Sequence, residues 1–211
     1  MSKSIADIRK DYTKGSLKGS DLPNSPFESF QKWLDEAISS EVEEPTALTL
    51  STIHKGNRPR SRVVLLKSID NQGLVFFTNY NSQKGAEIDT NPYAAMNFFW
   101  PELERQVRVE GRIERITSTE SDNYFYSRPV ESQAGAIVSD QSKVIPEDLD
   151  LSAEINALIT QPNKLRRPEH WGGFRLIPDY FEFWQGRPSR IHDRVFYRLQ
   201  NERWSKGRLS P

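Results

Sequence analysis

The chain has no cysteine among its 211 residues. Disulfides, thiolate nucleophiles and every cysteine-based metal site are thereby excluded, and the composition suits a reducing compartment. Histidine is scarce. His54, His170 and His192 lie far apart in sequence, and none has a partner at metal-ligand spacing, so no metal is expected. Charge of one sign is lacking too. The 29 basic residues balance 29 acidic ones, which disfavours a nucleic-acid or other polyanion-binding role. No apolar run approaches the ~20 residues that span a bilayer. The N-terminal stretch lacks the apolar core of a signal peptide. A soluble, cytoplasmic protein without a membrane segment is the expectation. Glycine loops for nucleotide phosphates are missing as well: there is neither G-x-x-x-x-G-K-[ST] nor G-x-G-x-x-G. There is no G-x-S-x-G nucleophile elbow.

Aromatic residues, in contrast, are plentiful: five Trp, seven Tyr and eleven Phe. Runs such as Phe98-Phe99-Trp100 and Tyr180–Trp184 suit strands and can wall a flat aromatic ligand. The length suggests one domain, residues 1–211. A short polar helix is expected over 2–12, after which Gly15 and Gly19 loosen the chain. Ser25 as N-cap and Pro26 at the first helical position open a helix to about Glu41, with Phe27, Phe30, Trp33, Leu34, Ala37 and Ile38 on its apolar stripe. From Thr46 the period changes to two. Strands are expected at 46–54, 61–69, 74–78, 94–100 and 106–117, and from Gly172 to Leu209. On the long fifth strand Gln106, Arg108 and Glu110 share one face, and Val107, Val109 and Ile113 the other. Helices are expected at 82–91, 118–127, 132–138 and 151–160. A mainly β chain with flanking helices and sequential turns points to a closed or half-closed antiparallel barrel.

Anion-binding side chains recur on these elements. Arg62-Val63-Val64-Leu65-Leu66-Lys67 places cations at both ends of an apolar strand. Their odd separation turns them to opposite faces, either as two anion sites or as solvated strand ends. Asn81-Ser82-Gln83-Lys84 opens a helix whose free amides and positive dipole end favour a phosphate, though a plain N-cap has the same sequence. Tyr124 and Arg128 stand four apart on one helix face, with Ser132 at the next helix start. Together they form either a phosphate clamp or a surface cation–aromatic pair. Near the end, Gly186 and Pro188 mark a turn between two strands. Period-two alternation puts Arg190, His192 and Arg194 on one face, with Ile191, Asp193 and Val195 on the other. Two guanidiniums around an imidazole make an anion-binding surface, or a charged strand edge that discourages pairing.

Taken in order, these blocks resemble the pyridoxamine 5′-phosphate oxidase family. The resemblance is carried by Arg62–Lys67, Thr78-Asn79 with Ser82-x-Lys84, Glu104–Gly111, Tyr124-Phe-x-Ser-Arg-Pro through Ala136, Val138-Ser-x-Gln141-Ser142, Trp171-Gly-Gly-Phe174, and Glu182-Phe-Trp-Gln-Gly-x-x-x-Arg-x-His-Asp-Arg194. It implies an antiparallel, Greek-key split β-barrel that binds FMN at the interface of a homodimer. It also implies an oxidase that converts pyridoxamine 5′-phosphate or pyridoxine 5′-phosphate to pyridoxal 5′-phosphate, reducing O2 to H2O2. The implied FMN contacts are Arg62, Val63, Val64, Leu65, Leu66, Lys67, Phe77, Thr78, Gln83, Lys84, Gln106, Gln141, Ser142, Trp184 and Arg194. The implied substrate contacts are Lys67, Tyr124, Arg128 and Ser132 at the phosphate and Arg190 and His192 at the ring. Arg9 and Tyr12 would sit on a mobile N-terminal segment, residues 1–20, that covers the substrate. One departure stands out. Members commonly carry Arg just before the lysine of Ser-x-Lys, and Gln83 stands here, which should weaken the grip on the FMN phosphate. Two other readings belong to different classes: a split-barrel flavoprotein using reduced nicotinamide, and a protein that binds FMN or pyridoxal phosphate without turnover.

Overall fold

Ser25 and Pro26 open the first helix as expected. In the computed structural model, which describes residues 4–8 and 11–211, α1 spans Pro26–Ser39, and the Ser25 hydroxyl accepts the Glu28 amide. Phe30, Trp33, Leu34 and Ala37 are buried. Ile38, at the rim of the stripe, is 53% exposed, contrary to expectation. Two strands follow, β1 (Ala47–His54) and β2 (Arg58–Leu65), and then β3 (Ser68–Asp70) and β4 (Gly73–Asn79). The single strand expected over 61–69 is therefore broken. β2 lies beside β1, whereas β3 pairs with β4, and between them the Lys67 amide bonds to the Val75 carbonyl. After α2 (Gln83–Thr90) come β5 (Tyr93–Trp100) and β6 (Arg105–Arg115). Val107, Val109 and Ile113 of β6 are buried, while Gln106, Arg108 and Glu110 are not, as the alternation predicts. The helices α3 (Ser118–Ser127), α4 (Val130–Val138) and α5 (Leu151–Ile159) precede β7 (Trp171–Gln185), β8 (Asp193–Gln200) and β9 (Arg203–Leu209).

The short helix expected over 2–12 reduces to a single 3-10 turn at Ile5–Asp7, and Asp11–Thr13 is not helical. Residues 2, 3, 9 and 10 lie outside the described residues. The turn has no buried residue, so no apolar face holds it as a longer helix.

Strand order in the sheet is β2-β1-β5-β6-β7-β4-β3, with β8 added to β7 and β9 to β8. The chain forms two compact units. The first comprises Met1–Thr49, Ala95–Glu110 and Pro178–Pro211. In it Phe30 packs edge-on against Phe98 at 4.9 Å, Trp33 against Phe183 at 5.2 Å, and Phe183 against Tyr197 at 5.7 Å. Each such ring withdrawn from water contributes roughly 1.5–3 kcal/mol. Here β7 pairs with β8, Tyr180↔Arg198 through Gln185↔Asp193. The second unit comprises Leu50–Ala94 and Gly111–Ile177. There β4 pairs with the start of β7, Leu74↔Leu176 through Asn79↔Trp171. Its core holds Leu50, Leu74, Phe76, Ile88, Phe125, Phe174 and Leu176.

Candidate functional site

The second unit carries a cavity of about 470 Å³, within the usual size for a small-molecule site. Three elements build it: the end of β2 with Lys67, the end of β4 with the start of α2, and the α3–α4 corner facing Trp171.

At the α2 end, Ser82 is the N-cap, accepting from the Gly85 amide and donating to the Asn79 carbonyl at 2.7 Å. Gly85 is required there. A Cβ at that position would stand 1.9 Å from the Tyr80 carbonyl oxygen. The Lys84 side chain beside it is buried. Its ammonium donates to Thr78 Oγ1 at 3.0 Å, Ser82 Oγ at 3.1 Å and Gln141 Oε1 at 2.7 Å. All three acceptors are neutral. Burial first, and the nearby Arg62 guanidinium second, lower the Lys84 pKa to about 8, while Glu87 opposes them. A buried ammonium whose hydrogen bonds go only to neutral oxygens has no anionic partner of its own and can attract one.

At the α3–α4 corner, Phe77 and Tyr124 stack at 3.8 Å, and Trp171 lies nearly parallel to both, at 5.6 and 6.3 Å. The Arg128 guanidinium sits 4.7 Å over the Trp171 ring. Its Nη1 is buried without a hydrogen-bond partner among the described residues. Burial pulls the Arg128 pKa below its ordinary value, and Tyr124 opposes that shift. Ser132, Gly135 and Ala136 of α4 complete this end, and exposed Lys67 lines the same cavity.

Of the expected FMN contacts, Val63, Val64, Leu65, Lys67, Phe77, Thr78, Lys84 and Gln141 line this cavity. Leu66, Arg62, Gln83 and Ser142 do not. Leu66 is buried. Arg62 is committed to Glu87 at 2.9 Å, with Thr52 and the Leu50 carbonyl as further acceptors. Gln83 borders a second cavity with His54, Arg60 and Glu87. Ser142 is exposed and left-handed, φ 72°. The substrate-phosphate set Lys67, Tyr124, Arg128 and Ser132 is brought together in full.

The remaining expected residues belong to the first unit. Tyr12, Trp184 and His192 form one aromatic cluster, with centroids 4.7–5.9 Å apart. Gly186 makes room for Tyr12, since a Cβ there would meet the Tyr12 ring at 2.7 Å. His192 Nδ1 accepts the Arg187 amide at 3.1 Å, which leaves Nε2 free of this turn. Arg194 pairs across the strands with Trp184 and binds Glu182 at 2.8 Å. The Glu182 hydrogen bond raises the Arg194 pKa. Gln106 is half-buried on β6, and Arg190 is exposed. Arg9 lies outside the described residues. One expectation fails here. Arg190, His192 and Arg194 do not share a strand face, because β8 begins only at Asp193. Pro188–Arg190 is a 3-10 turn in which Ser189 and Arg190 take left-handed φ of 57° and 61°, so the period of two does not apply.

Sequence reasoning gave no site role to Trp171, Glu87 or Arg187. The Trp171-Gly172-Gly173 run was the available signal for the first. A Cβ at Gly172 would meet the Tyr80 hydroxyl at 2.2 Å, and one at Gly173 the Ile116 side chain at 2.3 Å. The other two act through pairings no local pattern reveals.

Residues 34–160 match a family model described as pyridoxamine 5′-phosphate oxidase, and residues 171–211 one described as the pyridoxine 5′-phosphate oxidase C-terminal dimerisation region. The chain is 53% identical over 208 residues to a pyridoxine/pyridoxamine 5′-phosphate oxidase of Neisseria meningitidis, covering 98% of this chain and 99% of the relative. It is 49% identical over 219 residues to the protein of that name from Ectopseudomonas mendocina, with both chains covered in full. Among solved structures, PhzG from Burkholderia lata in complex with tetrahydrophenazine-1-carboxylic acid is 31% identical with a TM-score of 0.87, covering 92% of this chain and 96% of that one. A pyridoxamine 5′-phosphate oxidase-related, FMN binding protein from Nostoc punctiforme, 16% identical with a TM-score of 0.74, covering 90% of this chain and 100% of that one, shares the fold. The chain therefore has the split-barrel fold and belongs to the pyridoxamine 5′-phosphate oxidase family.

Proposed function

We propose that the chain oxidises pyridoxamine 5′-phosphate and pyridoxine 5′-phosphate to pyridoxal 5′-phosphate, with FMN as redox group and dioxygen as final acceptor. The observation that carries this reading is the pair of cationic stations in one cavity. Lys84 donates only to neutral oxygens. Arg128 keeps a buried N–H without a partner among the described residues. Two such stations suit two phosphate monoesters. The residues fit FMN on this test: its phosphate matches the Lys84 end, where Gly85 brings the α2 backbone close, and the cavity's aromatic wall suits flat rings.

When bound, FMN would supply a two-electron acceptor for oxidation at the substrate's C4′ carbon, with dioxygen as the final acceptor and hydrogen peroxide as its product. The protein's part is to bind and orient. Lys84, Thr78 and Gln141 hold the cofactor phosphate. Lys67, Tyr124, Arg128 and Ser132 hold the substrate phosphate, which fixes the ring that carries C4′. Arg190 orients the C4′ amine or alcohol and favours its deprotonated, reactive form. His192 hydrogen-bonds beside it. With the amine, water then hydrolyses the imine and releases ammonia. The match of 171–211 to a dimerisation region supports a homodimer. In our reading FMN lies at its subunit interface, where Gln106, Trp184 and Arg194 complete the FMN site. Residues 1–211 then work as one FMN-binding domain in the cytoplasm, with the 1–20 segment, Tyr12 included, covering the substrate.

The test is Arg190→Ala. Turnover should fall by roughly a hundredfold or more, with bound FMN per subunit unchanged. Equal loss of FMN and turnover would remove Arg190 from its assigned place.

A further inference from the structure

We propose that Trp171 is a positioning residue for the substrate's phosphate, acting through Arg128. This rests on the reading of Tyr124, Arg128 and Ser132 as the substrate-phosphate site. The Arg128 guanidinium lies 4.7 Å over the Trp171 ring. A guanidinium on an indole face is held by attraction to the ring's negative quadrupole, and that attraction grows where water is excluded. Trp171 is 6% exposed and Arg128 is half-buried, so the pairing is partly shielded from water. The indole thus occupies one side of Arg128 without spending an N–H, and Nη1 has no hydrogen-bond partner among the described residues. The Arg128 carbonyl is anchored separately, by Gln133 Nε2 at 2.9 Å, so the side chain depends on Trp171 for its direction.

Trp171 is itself held from behind. Its carbonyl accepts Arg167 Nη1 at 2.7 Å, and Arg167 Nε binds Asp122 of α3 at 2.6 Å. Its amide bonds to the Pro168 carbonyl at 3.0 Å. Phe125 meets the ring edge-on at 5.3 Å. The indole is thus a rigid platform between the connector before β7 and the helix that carries Arg128. Rotating the platform would shift the Arg128 guanidinium at this end of the cavity without touching the Lys84 end.

A double-mutant cycle tests this. Trp171→Leu in the FMN-loaded enzyme should raise KM for pyridoxine 5′-phosphate roughly 3- to 30-fold. The kcat and the FMN dissociation constant should stay near wild type. Trp171→Phe keeps a ring and should raise KM only about 2- to 3-fold; it serves alone if the leucine variant does not fold. In an Arg128→Ala background either Trp171 change should add nothing further. If each adds its full factor there, Trp171 is not acting through Arg128 and the inference falls while the phosphate-site reading stands. If Arg128→Ala itself leaves KM unchanged, the phosphate-site reading falls, and the inference with it.

Discussion

In the proposed reading, cofactor binding turns on Lys84. Its pKa stands near 8 because it is buried and because Arg62 is close. A bound phosphate would supply the missing negative charge and raise that value again. Binding therefore takes up a proton wherever Lys84 is neutral in the free protein. FMN affinity should be flat below pH 8 and should weaken above it, up to about tenfold per pH unit. Titrating flavin fluorescence between pH 6.5 and 9.5 checks this, and a flat profile would place the phosphate elsewhere. Lys84→Ala should weaken FMN binding roughly 10- to 100-fold and abolish the pH dependence. The lysine was legible in the sequence through Ser82-x-Lys84 at a helix start. Gln83, beside it in sequence, does not line the same cavity. Neighbours in sequence at a helix start diverge by about 100°, and the side chain borders a different cavity, with Glu87. Nothing local in the sequence announces that Arg62 would be spent on Glu87, which is 25 residues away.

Elements were read best where one pattern governed them. Cap residues and an apolar stripe located α1, and alternation located β6, because each depends on neighbours within a turn or two. Breaks in pairing were not legible. β2 and β3 separate because the chain changes partner strand at Leu66–Lys67. The β7–β8 turn departs from alternation because two non-glycine residues adopt left-handed backbone. The α2 start makes a sharper demand. A methyl at Gly85 would stand 1.9 Å from the Tyr80 carbonyl oxygen, so strand and helix would have to part. Gly85→Ala should destabilise the protein by about 1–3 kcal/mol and lower FMN occupancy as well. Thermal unfolding of apo and FMN-saturated protein checks it. An unchanged Tm with full flavin would show that the Tyr80–Gly85 approach is dispensable.

For the whole molecule, the family and the fold followed from seven ordered blocks in the sequence, and four residues of those blocks, Lys67, Tyr124, Arg128 and Ser132, line one cavity. The two-unit division did not, since β1, β5, β6 and β7 run through the dividing positions without a break in their patterns. In the proposed function, one cavity serves both a flavin and a phosphorylated pyridine. A visible spectrum of the purified protein, followed by anaerobic addition of pyridoxamine 5′-phosphate, tests it most directly. The flavin band should bleach on addition and return when air is admitted, with hydrogen peroxide formed in proportion. A flavin band that stays oxidised in the presence of saturating substrate would contradict the proposed activity, and failure to bind FMN at all would contradict the site.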